Sequence, residues 1–188
     1  MYGDSLALGV GASTPDRGFV QLLVTRVQAD DPTAQVQNLA AGGATADDVL
    51  GTQLPQTTLT GATDVWLCVG GNDVTHVTPV DRFASNEHAL VLALRQRFPS
   101  AHIVVFGVPD VSRAPQFPGV AKIRLHNDAA LDNDSAAVAA RDAQADFIDL
   151  FSFSDRQLDV SADFSPDAFH PNDRGYAAIA DFSSKTVI

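Results

Sequence analysis

Four short motifs contain the residue types that acyl transfer requires. They are Gly3–Leu6, Gly42–Thr45, Gly70–Asp73 and Asp167–Pro171. A serine nucleophile needs a base that accepts its proton and a third group that orients the base. Ser5 is the candidate nucleophile, His170 the candidate base and Asp167 the orienting carboxylate. Because Asp167 and His170 are three residues apart, one turn could supply both.

The tetrahedral intermediate of acyl transfer also needs hydrogen-bond donors directed at its oxyanion. The candidate donors are the Ser5 N–H, the Gly43 N–H and the side-chain amide of Asn72. Glycine suits such a position because the missing Cβ lets the backbone approach a substrate closely. Taken singly, each residue also fits a plain structural role, as a turn serine, a turn glycine or a helix cap. The combination predicts a catalytic site.

The elements that must position these motifs alternate between strands and helices. Apolar runs over residues 34–39, 64–69, 102–108 and 146–151 predict strands, and helical spacing follows Phe19, Phe83, Ala121 and Asn172. This alternation predicts a parallel sheet between two layers of helices. In such folds, sites form beyond the carboxyl ends of the strands. We therefore expect the four motifs to meet at one edge of the sheet.

The motifs resemble, in order, the four blocks of the GDSL or SGNH hydrolases: GDSL at residues 3–6, the glycine of NLAAGGAT, GGND at 70–73 and DAFHP at 167–171. The resemblance covers essentially the whole chain and implies one α/β domain over residues 1–188. It implies a three-layer, flavodoxin-like fold with a five-stranded parallel sheet of order 2-1-3-4-5. It also implies ester or thioester hydrolysis through Ser5, Gly43, Asn72 and His170, without a cofactor or metal.

One departure from the family concerns the first strand. The family has a full apolar strand before its first block, whereas only Met1 and Tyr2 precede Gly3 here. We expect either an unusually short first strand or a sequence that begins downstream of the natural start. The chain shows no leader, which favours a cytoplasmic location only weakly.

Composition narrows the possible partners. The 188 residues carry a net charge of −11, which disfavours nucleic acid and anionic membrane surfaces. No run of residues is long enough for stable insertion into a membrane, and the single cysteine, Cys68, excludes an intrachain disulfide. The expected partner is a small ester or lipid-like substrate, and the sequence leaves the oligomeric state open.

Substrate identity and a second function remain open at this point. The loop at residues 112–120, with Phe117, could form a wall of an acyl pocket, or it could be an ordinary surface loop. We favour small to medium acyl chains, with lysophospholipids, thioesters and acetylated sugars as alternatives. His88, His102 and His126 lie on predicted helices or at a strand start, with no set of catalytic partners around them. The alternative function is a flavodoxin-like flavin- or phosphate-binding module, although the chain has no phosphate-binding P-loop motif.

Overall fold

Parallel strands form the centre of the fold. The computed structural model describes residues 1–188, and its strands are β1 (Tyr2–Gly3), β2 (Asp64–Cys68), β3 (His102–Phe106) and β4 (Asp146–Ile148). They pair in parallel in the order β1-β2-β3-β4. β2 and β3 are almost continuously apolar, as strands covered on both faces must be.

Helices connect the strands and cover the sheet. They are α1 (Ser5–Leu8), α2 (Phe19–Asp30), α3 (Ala46–Asp48), α4 (Gly71–Thr75), α5 (Val80–Arg97), α6 (Gly119–Asp142), α7 (Leu150–Gln157) and α8 (Asp173–Val187). α5 ends just before Pro99, as predicted. Asn172 caps α8 by accepting from the N–H groups of Arg174 and Gly175. No helix combines the length and apolar character that crossing a bilayer demands.

The side chains of β2 alternate between two apolar clusters, which shows that the sheet separates two cores. Val65 and Leu67 belong to one apolar cluster with α5 and α6. Trp66 and Cys68 face the opposite way, into a second cluster with α2, α7 and α8. Successive side chains of a strand point to opposite faces, so both layers of helices are needed to bury them. The predicted three-layer arrangement is confirmed.

The sheet has four strands, whereas the resemblance implied five. Residues 34–39 do not form a strand, although their continuation runs beside β1: Leu39 N–H donates to Met1 O (2.9 Å) and Ala41 N–H to Gly3 O (3.0 Å). Gly3 N–H instead donates to Oε1 of Gln53 (2.9 Å), and Gln53 Nε2 donates back to Gly3 O (2.7 Å). This side-chain amide takes the place of a backbone partner, so a regular ladder does not form here.

β1 is short, as expected from the two residues that precede Gly3. It pairs only with Leu67 and Cys68 of β2. A cavity of about 490 Å³ borders the remaining part of β2, at the end of the sheet opposite the Ser5 motif, and Trp66 lines it. Ser5 is therefore carried by a strand that is held at its carboxyl end, where Gln53 supplies the extra hydrogen bonds.

Candidate active site

Ser5 is the first residue of α1, directly after β1. Asp4 caps this short helix by accepting a hydrogen bond from Leu6 N–H (2.9 Å). The tight passage from strand to helix requires glycine at position 3, where φ is +154° and a Cβ would lie 2.2 Å from Cys68 O. The backbone thus fixes Ser5 at the carboxyl end of β1.

A closed loop before α8 supplies the histidine and the aspartate. Its ends are joined by Asn172 N–H, which donates to Asp163 O (2.8 Å), and by Ser165 N–H, which donates to His170 O (2.8 Å). Asp167 Oδ1 accepts from His170 N–H (2.9 Å) and from the Ser165 hydroxyl (2.7 Å). Both side chains are therefore held on one turn, as the three-residue spacing predicted.

The three predicted residues form one line of hydrogen bonds. His170 Nδ1–H donates to Asp167 Oδ2 (2.7 Å), and the Ser5 hydroxyl lies 2.8 Å from His170 Nε2. Burial raises the pKa of Asp167, but hydrogen bonds from His170, Phe169 N–H and Ser165 outweigh burial and hold that pKa well below its usual value. Asp167 therefore stays ionised and fixes the imidazole with Nε2 facing Ser5.

Asn72 lies beside this line of residues, at the start of α4. Gly70, which precedes α4, has a φ of +118°, and a Cβ there would lie 2.5 Å from Val108 Cγ2. The Asn72 Nδ2 donates to Ala44 O (3.0 Å), and its second contact, to Asp4 Oδ2, is long at 3.4 Å. One amide hydrogen is thus fixed on the second motif, and the other is only weakly engaged.

Two buried carboxyl groups, of Asp4 and Asp73, hydrogen-bond to the motifs. Asp73 Oδ2 accepts from Ala46 N–H (3.0 Å), which ties the third motif to the start of α3, directly after the second motif. Burial, with a smaller contribution from the neighbouring Asp73, raises the pKa of Asp4 to about 7. Asp73 holds a backbone N–H, and Asp4 contacts Leu6 N–H and the Asn72 side chain, so we assign both residues supporting roles.

Gly43 lies on the loop that carries Ala44, the acceptor of Asn72. Its φ is +80°, and a Cβ added there would have no neighbour within 4 Å. Neither its N–H nor that of Ser5 donates to another group of the chain. Both N–H groups are therefore free to bind a ligand, although Gly43 does not line the cavity beside Ser5.

That cavity has a volume of about 70 Å³ and is mostly apolar. Ser5, Asn72 and His170 line it, together with Val111 and Ala114 from the loop after β3. Phe117 does not line it. Its ring instead packs edge-on against Phe169 (centroids 5.8 Å apart), which in turn contacts the His170 ring (4.8 Å).

His88, His102 and His126 each contact an aspartate that the sequence did not indicate. All three lie within 3.3 Å of at least one aspartate oxygen, the closest contact being His126 Nδ1 to Asp110 Oδ2 at 2.8 Å. These partners are distant in sequence, so the packing of the elements brings them together. Ser165 was also missed, although its place two residues before Asp167 is typical of a hydroxyl that bonds a turn carboxylate.

Other groups near the site lack the environment for separate chemistry. Burial raises the pKa of the Cys68 thiol well above its ordinary value, so the thiolate that nucleophilic attack requires is disfavoured. The chain contains no cluster of three or more His, Cys, Asp or Glu side chains arranged to hold a metal ion.

The chain matches a family of known proteins. The sequence model of the GDSL-like lipase/acylhydrolase family matches residues 1–178. The comparison with curated proteins gives no match.

Solved structures share the fold at low sequence identity. The phospholipase A1 from Streptomyces albidoflavus NA297 is 20% identical, with 98% of this chain and 97% of that chain covered and a TM-score of 0.70. The lipase Lip_vut3 from a goat rumen metagenome is 17% identical, with coverages of 98% and 94% and a TM-score of 0.77. An acetyl xylan esterase variant from Geobacillus stearothermophilus is 17% identical, with coverages of 99% and 92% and a TM-score of 0.71.

Proposed function

The chain belongs to the GDSL-like lipase/acylhydrolase family, and from this premise we propose that it is a serine hydrolase that cleaves carboxylic esters through an acyl-enzyme on Ser5. The observation that carries the proposal is the continuous line from Ser5 Oγ through the His170 ring to Asp167, with contacts of 2.8 and 2.7 Å. The catalytic unit is a single domain over residues 1–188.

The geometry supports a two-step reaction. His170 Nε2 accepts the Ser5 proton while Oγ attacks the ester carbonyl, and Asp167 stabilises the resulting imidazolium. The free N–H groups of Ser5 and Gly43 and the weakly engaged amide hydrogen of Asn72 stabilise the oxyanion. His170 then protonates the leaving alcohol. In the second step it deprotonates a water that attacks the acyl-enzyme, which releases the acid and restores Ser5.

Small to medium acyl groups are the proposed substrates. The cavity beside Ser5 is mostly apolar but only about 70 Å³ in volume, which suits a short acyl chain better than a long one. The structural neighbours include proteins described as a phospholipase A1, a lipase and an acetyl xylan esterase. Their diversity leaves the alcohol half of the ester unspecified, so simple esters, lysophospholipids, thioesters and acetylated sugars are all suitable trial substrates.

A series of p-nitrophenyl esters from acetate to laurate tests this proposal, with lysophospholipid and acetylated sugar assayed in parallel. We expect turnover that is highest at short or medium acyl chains and that is lost in Ser5→Ala. The matched control is Ser135→Ala, which removes an exposed hydroxyl bonded only to the α6 backbone. Full activity in Ser5→Ala would contradict the proposal. So would flavin absorbance without turnover of any ester, which would favour the flavin-binding alternative.

A further inference from the structure

The first turns of α6 expose apolar side chains that a water-facing helix would not need. Val120 is 91% exposed and Ile123 is 73% exposed, the two highest values among the large apolar residues of the chain. Residues three apart lie on the same side of a helix, so these side chains form one patch. Contiguous exposed apolar patches mark interaction surfaces more often than scattered single residues do.

This patch directly follows in sequence a segment that packs beside the catalytic histidine. Phe117 is half-buried and precedes Val120 by three residues, and its ring packs on Phe169, which contacts His170. The backbone joins the same two segments, because Gln116 N–H donates to Ala168 O (2.9 Å). We call Phe117, Val120 and Ile123 the apolar rim. It extends from the turn that carries His170 onto the surface of α6.

Charge distinguishes this region from the rest of the molecule. The chain has 23 acidic residues and a net charge of −11, yet none of those acids lies between Asp110 and Asp128. That interval contains Arg113, Lys122 and Arg124. Arg124 pairs with Asp128 (2.7 Å), whereas Lys122 takes part in no ion pair. At about 100° of rotation per helical residue, Lys122 lies to one side of Ile123, at the margin of the apolar patch. A free ammonium at the margin of exposed apolar side chains suits a surface that presents both acyl chains and phosphates.

We propose that the apolar rim is a docking surface for aggregated zwitterionic lipids, such as phosphocholine micelles or vesicles, and that it brings their ester bonds to Ser5. The rim side chains enter the acyl region while Lys122 faces the phosphates. The carboxylates elsewhere on the chain attract the outer quaternary ammonium groups but repel a purely anionic surface. This inference rests on the proposed ester hydrolysis and adds the physical state of the substrate.

Adsorption of the Ser5→Ala protein to phosphatidylcholine vesicles tests the surface without consuming the lipid. The rim variant is V120S/I123S, and the matched control is L131S/V138S, which makes the same kind of change at exposed positions farther along α6. Since each buried aliphatic side chain contributes favourably to transfer from water, we expect the rim variant to adsorb roughly 10-fold or more weakly. The control should adsorb like Ser5→Ala alone. Equal adsorption of the two double variants would overturn the inference.

Measurements of turnover distinguish a failure of this inference from a failure of the proposed function. In the active protein, V120S/I123S should hydrolyse soluble p-nitrophenyl acetate at the unaltered rate but lose most of its activity on a short-chain phosphatidylcholine above its micelle threshold. Loss of both activities to the same degree would contradict a docking role. If the unaltered protein hydrolyses no ester, the proposed function fails, and the vesicle measurement still decides whether the rim binds lipid.

Two further results would overturn the proposal. Tighter adsorption to phosphatidylglycerol vesicles than to phosphatidylcholine would contradict the predicted charge preference. A dimer in analytical ultracentrifugation that V120S/I123S converts to a monomer would identify a second copy of the chain as the occupant of the rim.

Discussion

Two histidine–aspartate pairs, both joined from the imidazole Nδ1 to a carboxylate Oδ2, differ in which partner is buried. In the first, His170 has a 16% exposed side chain and Asp167 a 42% exposed one, with 2.7 Å between the bonded atoms. In the second, His126 has a 47% exposed side chain and Asp110 a 1% exposed one, at 2.8 Å. The bonded geometry is nearly the same, but the burial is reversed.

The difference shows what each pair does. The enclosed His170 presents Nε2 to the Ser5 hydroxyl, so its carboxylate orients a reacting group. The enclosed Asp110 instead uses its other oxygen on Ser112 N–H (3.1 Å), while His126 Nε2 has no partner in the chain. The second pair therefore braces the loop after β3. A histidine–aspartate contact alone does not indicate catalysis. The distinguishing feature of the catalytic pair is the Ser5 hydroxyl next to the other imidazole nitrogen, Nε2.

Removal of the Ser5 hydroxyl should cause the largest loss of activity. We expect Ser5→Ala to lower kcat/KM by about 10⁴-fold or more, because the acyl-enzyme cannot form. His170→Ala should lose as much, and combining the two changes should cost little more, since the residues act as a unit. Steady-state kinetics on a soluble p-nitrophenyl ester measure both effects. Additive losses in the double variant would show that Ser5 and His170 do not work together.

Replacing each carboxylate by its amide compares the two pairs directly. We expect Asp167→Asn to lower kcat by roughly 10³–10⁴-fold, because the amide favours the wrong imidazole tautomer. Asp110→Asn should change kcat by less than about threefold, since Asp110 lines the cavity beside Ser5 but its side chain bonds only Ser112 N–H and His126. Thermal unfolding should rank the variants in the opposite order, because only Asp110 is buried. Equal loss of kcat in both would mean that the second pair also acts in catalysis.

Asn72 belongs to the site of His170, and its replacement should lower activity by less than the loss of Asp167 but by more than the loss of Asp110. We expect Asn72→Ala to lower kcat by about 10²–10³-fold, the usual cost of one oxyanion donor, with a smaller change in KM. Circular dichroism should confirm that the fold is retained, because the substitution also removes the bond to Ala44. A change confined to KM would indicate that Asn72 binds the ground state instead of the oxyanion.

The smallest effect should come from His126. Its side chain is about half exposed and it contacts the ring of Phe151. We therefore expect His126→Ala to change kcat by less than about threefold and the free energy of unfolding by roughly 1 kcal/mol. Kinetics and urea unfolding check these two values. A fall in kcat comparable to that of His170→Ala would contradict the assigned bracing role.

Much of the fold and of the site followed from local patterns in the sequence. Apolar runs located β2 and β3, and helical spacing located α2, α5, α6 and α8, because both signals reflect burial that the chain must achieve. The position of each motif after a strand predicted that Ser5, Asn72 and His170 would meet at one edge. The three-residue spacing of Asp167 and His170 predicted their shared turn.

The remaining features depend on packing that the sequence does not reveal. Residues 34–39 were predicted as a strand, but the Gln53 side chain accepts the Gly3 N–H bond that a backbone partner would otherwise accept. The pairing of His126 with Asp110 depends on how α6 lies against the loop after β3. Gly43 was predicted to donate to the oxyanion, and the structure shows only that its N–H is free.

Labelling with an organophosphonate tests the central claim most directly, because the reagent captures the nucleophile that a histidine–aspartate pair activates. We predict one label per chain, found on Ser5 by peptide mass spectrometry. Labelling should be lost in His170→Ala and retained in His126→Ala. A label on another residue, or equal labelling of Ser5 in the absence of His170, would contradict the assignment of Ser5, His170 and Asp167 as the catalytic unit.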